Sequence, residues 1–392
     1  MEDGSVGMDK AWLLFSALLN EMAASNVSQS AQRITGIDLV RGIASLSVCW
    51  YHLTTANPDF LPEGILKASG KYGWLGVEAF FVISGFIIPF SLYRSGYKLR
   101  NYATFIVKRI TRLDPPYLVS MAICILLIYL NVVVTGRSDP RLSWTGIVLH
   151  LGYLNMFFNY PWLNAVYWSL AIELQYYVLM GLIFPLLIVR IRLVRLLVFF
   201  ALGSLCFLIT SPSFIFAYIF LFLMGITAFQ KRTGHIKTAE ALTLYGICFI
   251  CSSWTLGLPH TIAGAVALYL ISAVNLRNVV LNFLGNISYS LYLLHAIVGG
   301  SVISMGIRTG LTGNGAGRVA VLIAALFASL FSAFMLYVFV EKPAQKWSSS
   351  FLYRPAAKTI PDQTRMALQT TLNPSGAVLL SEKNVSTEGT AN

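Results

Sequence analysis

Charge is what this sequence has least of. Of its 392 residues, 11% are Asp, Glu, Lys or Arg, against roughly 25% in an ordinary soluble domain. Apolar residues make up 56%, and runs of about 20 recur from end to end, long enough to cross a bilayer as helices. A water-soluble globule is excluded. Acidic residues are the scarcer sign, 16 against 28 Lys and Arg, for a net charge of +12. That balance suits nucleic acid in some proteins, but no basic stripe with interleaved aromatics is present, so no nucleic-acid partner is expected. The five cysteines, Cys49, Cys124, Cys206, Cys248 and Cys251, sit in apolar segments without a secreted-framework spacing. Cys248-x-x-Cys251 has no second pair or histidine beside it, so neither a metal nor a permanently bound cofactor is expected. Also missing are a G-x-S-x-G elbow around Ser84, internal repeats and the inverted symmetry of many transporters.

What is present is an all-α pattern of about ten apolar spans, near 36–56, 74–93, 115–134, 165–189, 196–211, 213–230, 239–256, 258–275, 281–300 and 319–340. Residues 1–33 read as an N-terminal cytoplasmic extension, with a short amphipathic stretch at 11–24. Residues 34–346 form the membrane domain, 143–160 within it being a short re-entrant or interfacial segment. Residues 347–392 read as a disordered cytoplasmic tail. With both termini inside, Lys67, Lys71, Arg137, Arg141, Arg308 and Arg318 fall outside and the rest of the 28 basic residues inside, as the positive-inside rule requires. A second folded domain is not expected.

The stretch Asp38 to His52 carries three groups that a bilayer disfavours: Asp38, Arg41 and His52. Eleven residues make almost three turns, so Arg41 and His52 share a helix face, roughly 16 Å apart along it. Asp38 lies one turn before Arg41 and can pair with it. The plainer alternative is a snorkelling pair plus a histidine bonded to a neighbouring helix. Glu78, one turn into the second span, is expected at the depth of His52, where it would fix the imidazole tautomer; the alternative is an interfacial carboxylate. Ser84-Gly85 fits helix packing through small residues.

Arg109 and Arg112, three apart with Lys108 beside them, form a fork suited to a phosphate, or serve only as positive-inside charge. Ser169, Glu173 and Tyr177, four apart, make a polar stripe that must face protein or a wet cavity. Tyr292 and His295 lie one turn apart, and Glu341-Lys342-Pro343 closes the last span. Interhelical hydrogen bonding is the alternative for these later stretches.

Six stretches in this order resemble the acyltransferase-3 family of integral-membrane O-acyltransferases. They are Arg41-x10-His52, Gly76-Val-Glu-x-Phe-Phe-Val-Ile-Ser-Gly-Phe86, Arg109-x-x-Arg112-Leu-x-Pro115-x-Tyr117, Trp168-Ser-Leu-x-x-Glu173, Gly285 to His295, and Glu341-x-Pro343. The chain has Glu78 where many members carry Asp, which keeps the carboxylate and lengthens its reach. The appended extracytoplasmic hydrolase-like domain of some members is not expected here.

The resemblance implies transfer of an acyl group, most often acetyl from acetyl-CoA, to a carbohydrate hydroxyl. Acceptors in the family include surface polysaccharides, O-antigens, nodulation factors and glycosylated antibiotics. It carries His52 over as the catalytic residue and Arg41, Arg109 and Arg112 as the groups for the CoA phosphates. With Glu78 as partner, His52 would take the hydroxyl proton directly, without an acyl-enzyme. Trp168, Ser169, Glu173, Tyr289, Tyr292 and His295 are the expected substrate-side groups, in a bacterial inner-membrane protein whose partners are the lipid bilayer, acyl-CoA and a carbohydrate acceptor. The rival expectation is a transporter or flippase for a glycolipid or sugar conjugate. A non-catalytic scaffold would leave His52 and Glu78 without a role.

Overall fold

The computed structural model describes residues 35–274 and 278–353, and these are helical with no strand among them. The expected extension 1–33 and most of the expected tail lie outside the described residues. Ten principal helices are numbered here in chain order: α1 (Thr35–Thr54), α2 (Gly76–Arg94), α3 (Tyr102–Thr135), α4 (Trp168–Leu187), α5 (Arg192–Leu208), α6 (Ile219–Arg232), α7 (Thr238–Thr255), α8 (Leu258–Ala273), α9 (Val279–Leu294) and α10 (Gly315–Leu336). Each expected span therefore contains a helix. Among the described residues, six helical stretches are by themselves long and apolar enough to cross a membrane, those built on α2, α3, α4, α6, α9 and α10.

In that setting the apolar surface that a soluble protein would bury can stay outside. Trp254, Val134 and Phe327 are largely exposed, as side chains facing hydrocarbon would be. The segment 143–160 holds one short helix, Trp144–His150, capped by Ser143 through the Gly146 N–H, followed by turns.

Three features depart from the sequence reading. First, α3 runs unbroken from Tyr102 through Pro115 and Pro116, so the Lys108, Arg109 and Arg112 group and the third span are on one helix. Proline's fixed φ is itself helical; what it removes are the N–H groups that would reach the carbonyls of residues 111 and 112. Second, α9 and α10 each pass into a π-helical turn, His295–Gly299 and Tyr337–Glu341, before continuing as Gly300–Arg308 and Lys342–Ser350. Such turns insert an extra residue and re-aim side chains, often at functional sites. Third, the expected tail boundary at 346/347 falls inside the last described helix, Lys342–Ser350. Ser348 Oγ donates to the Lys108 carbonyl (2.7 Å), and Lys108 Nζ donates to the Phe351 carbonyl (2.6 Å), tying this end to α3.

Glycines set the tightest crossings. A Cβ on Gly85 would lie 2.3 Å from the Phe222 carbonyl oxygen, and one on Gly225 would lie 2.2 Å from that of Val82. Thus α2 and α6 touch backbone to backbone, the arrangement small residues allow between membrane helices. Ser84 beside Gly85 turns the other way and donates to Glu173 on α4 (2.9 Å).

A candidate donor cavity and the histidines beyond it

A cavity of about 580 Å³ opens between α1, α2, α3, α4 and α9, within the range of small-molecule sites. It gathers Arg41 from α1, Arg109 and Arg112 from α3, Ser169 and Glu173 from α4, Tyr289 and Tyr292 from α9, and Glu341 from the second π turn. Sequence spacing put these residues on five separate stretches; the fold brings them to one space. His52, Glu78, Trp168 and His295 do not line it.

Its charged end is rich in uncommitted donors. Among the described residues, none of the three guanidinium groups has a carboxylate within ion-pair distance. Arg109 lies over the rings of Phe105 (5.3 Å) and Tyr177 (5.6 Å), and its Nε is buried without a partner. The carboxylates present are already occupied. Glu173 Oε1 accepts from Ser84 and Tyr177, while Glu341 accepts from Ser290 (2.6 Å) and Gln345 (2.9 Å). Unpaired guanidinium groups held on rigid helices cost free energy, and a bidentate anion such as a phosphate offsets that cost.

At the other end the wall is aromatic and hydroxylic. Tyr292 O–H and Ser169 O–H lie 2.6 Å apart and share the Val166 carbonyl. Back toward the arginines, Tyr289 O–H donates to the carbonyl of Leu113, the residue after Arg112 (2.9 Å). Trp168 stands outside the lining, packed against Phe81 and Tyr218. Behind Tyr292, His295 lies 5.9 Å away between ring centroids, and His52 lies 5.1 Å beyond that. His295 is fully buried; its Nδ1–H donates to the Leu291 carbonyl (2.8 Å), and its Nε2 has no partner. In the neutral ring that Nε2 carries the lone pair. Arg41 in the cavity and His52 against His295 thus occupy one side of α1, as their spacing requires.

The expected His52–Glu78 pair is not formed. Glu78 accepts instead from His260 Nδ1 at 2.7 Å. The chain after α1 explains the change of partner. The 3-10 turn Gly73–Leu75 folds back down along α1, where a Cβ on Gly73 would lie 2.2 Å from the Ser47 carbonyl and one on Gly76 would lie 2.4 Å from that of Ala44. Helix α2 therefore starts level with Ala44, eight residues and about 12 Å below His52, and Glu78 lies deeper still. His260 escaped the sequence reading because it sits in an unremarkable apolar span after Pro259. The signal was there, since any titratable group within a span marks a functional-site hypothesis.

Known proteins place these features. The sequence profile of the acyltransferase-3 acyltransferase domain matches residues 34–338. O-acetyltransferase OatA of Staphylococcus aureus is 30% identical over 176 residues, 42% of this chain and 26% of that protein. YrhL of Bacillus subtilis, by its name a proposed peptidoglycan O-acetyltransferase, is 34% identical over 164 residues, 39% of this chain and 24% of that protein. The chain thus spans about a quarter of the length of these relatives. No solved structure matches it. With its profile match covering nearly all the described helices, the chain belongs to the acyltransferase-3 family.

Proposed function

We propose that the protein is an integral O-acyltransferase of the bacterial inner membrane, moving an acetyl group from acetyl-CoA to a hydroxyl of a cell-surface carbohydrate. The observation that carries this reading is the cavity with three unpaired guanidinium groups and Tyr292 on its wall, with His295 and then His52 in succession behind Tyr292. In this reading Arg41, Arg109 and Arg112 take the CoA phosphates, and the pantetheine arm runs past Phe80 and Phe81 toward Tyr292. The names of the relatives support acetyl as the group moved and a cell-wall glycan as the class of acceptor.

The chemistry needs one base. His52 takes the acceptor hydroxyl proton as its oxygen attacks the thioester carbonyl carbon. As the tetrahedral centre collapses, the carbon–sulfur bond breaks and the proton passes from the imidazolium to the departing thiolate, leaving ester and free CoA. Ser169 and Tyr292, whose hydroxyls face each other at the cavity wall, donate to the oxyanion by giving up their bonds to the Val166 carbonyl. His295 Nε2 accepts a hydrogen bond from the N–H of His52, which removes its orphan status and leaves the other His52 nitrogen as the base.

Ten spans with both termini cytoplasmic put the arginine-rich end on the side where acyl-CoA is made. Mass spectrometry of surface glycans from cells with and without the protein tests the activity. The expected result is O-acetylation that depends on the protein and disappears in a normally inserted His52→Ala variant. A transporter would keep acetylation in that variant and change only the movement of a sugar conjugate, and that outcome would overturn the reading.

A further inference from the structure

Glu78 and His260 join two membrane helices, α2 and α8, through a carboxylate–imidazole pair that the reaction outlined above does not use. The crossing beside it, α2 on α6, is made without such a pair, by Gly85 and Gly225. Burying such a pair costs desolvation that its own attraction does not reliably offset. Glu78 is 2% exposed, and its Oε2 is buried without a partner. His260 keeps a quarter of its side chain accessible. The Trp74 indole, partly exposed, meets it edge-on with ring centroids 4.8 Å apart.

This group lies partway along α1, with Trp74 beside Ser47 and Tyr51 and Glu78 about a turn deeper. Trp74 belongs to the 3-10 turn packed on Ser47 and on Tyr51, the residue before His52, whereas the Arg109–Arg112 fork shares the cavity with Arg94 at the opposite terminus of α2. The arrangement is a partly accessible imidazole fixed on one nitrogen by a carboxylate, with an aromatic ring beside it. Carbohydrates are recognised by this combination: an aromatic face covers the C–H face of a pyranose, and fixed polar groups take its hydroxyls.

We propose that Trp74, His260 and Glu78 form a binding subsite for a sugar ring of the acceptor, with His260 Nε2 hydrogen-bonded to a hydroxyl other than the one acylated. Glu78 acts as a positioning residue that holds the ring through Nδ1. This subsite rests on the acyltransferase reading and adds to it where, and by what chemistry, the acceptor is held.

Two substitutions separate binding from mere helix bracing. His260→Asn keeps a donor at the position of Nδ1, preserving the bond to Glu78, and deletes Nε2. His260→Gln reaches the position of Nε2 and gives up the Glu78 bond. The assay uses full-length protein in nanodiscs, acetyl-CoA, and the glycan fraction that the cell experiment identifies as acetylated. Acceptor-independent thioester hydrolysis provides the donor-side control. A subsite predicts that His260→Asn raises the acceptor KM about tenfold, while the KM for acetyl-CoA and the hydrolysis rate stay at wild-type values. His260→Gln then retains most of the acceptor affinity. A bracing pair predicts the reverse order, and that result, or an unchanged acceptor KM in both variants, overturns the proposal while leaving the activity intact. If the wild-type protein transfers no acetyl group to any fraction, the acyltransferase reading fails first, and the subsite falls with it.

Discussion

His295 and His150 are both fully buried, and they differ in what the second ring nitrogen does. His150 bonds the Gly146 carbonyl through Nδ1 (2.6 Å) and accepts the Leu163 N–H at Nε2 (3.0 Å), which staples the segment between them. Burial holds its pKa below the ordinary imidazole value. Because the folded-state pKa is depressed, the stapling is complete above about pH 6.5 and weakens as acid protonates Nε2. Hydrogen exchange at the Leu163 amide checks this, and protection that stays constant down to pH 5 would contradict it.

His295 Nε2, by contrast, has nothing to accept, an omission that costs about 1–3 kcal/mol in a finished core. His295→Asn preserves the bond to Leu291 and deletes Nε2. It should lower the acetyl-transfer rate by about a hundredfold at normal abundance, within the range of general acid–base contributions. A rate within twofold of wild type would make His295 a packing residue.

Glu78 and His260 should be energetically coupled. In a double-mutant cycle with Glu78→Gln and His260→Ala, unfolding in detergent should show an interaction of about 0.5–3 kcal/mol. Additive losses would refute the pair.

Among elements, the close approach of α2 and α6 makes the firmest stability prediction. Gly85→Ala drives a methyl into the Phe222 carbonyl, so the helices must separate, at a cost of about 1–3 kcal/mol. Gly246→Ala, within α7 and with nothing within 4 Å of the added carbon, should instead stabilise by up to about 1 kcal/mol. Thermal unfolding of the two purified variants checks both signs at once.

Helices were the legible part of the fold, because runs of apolar residues carry their own length. The arginine fork and the Ser169–Glu173–Tyr177 stripe were legible as faces, since helical spacing alone sets them. Partners across helices were not. Whether Glu78 meets His52 or His260 depends on how far the Gly73–Leu75 turn folds back along α1, and that is decided by backbone contacts at Gly73 and Gly76. The continuity of α3 through Pro115-Pro116 and the two π turns were hidden for a similar reason: tertiary packing overrides the local preference of the residues that form them.

For the whole molecule, the account requires two chemically different ends. The Arg109–Arg112 fork and the last described helix, which is tied to Lys108, mark one end; His52 marks the other, with Trp74 and His260 between. Exposed Ser350 lies at the arginine end. A cysteine placed there should react with a membrane-impermeant thiol reagent only after the inner face is opened, and labelling from outside intact cells would reverse the topology. The central claim is that the arginine end grips the donor. It is tested most directly by acyl-CoA affinity in the double variant Arg109→Lys, Arg112→Lys. Lysine keeps the charge that governs insertion but loses the planar fork that holds a phosphate with paired hydrogen bonds. Each charge-assisted bond lost is worth about 1.5–3 kcal/mol, so the variant should insert normally and bind acetyl-CoA at least about tenfold more weakly, with acceptor affinity little changed. A correctly inserted double-lysine protein that binds acetyl-CoA as tightly as wild type would contradict the account.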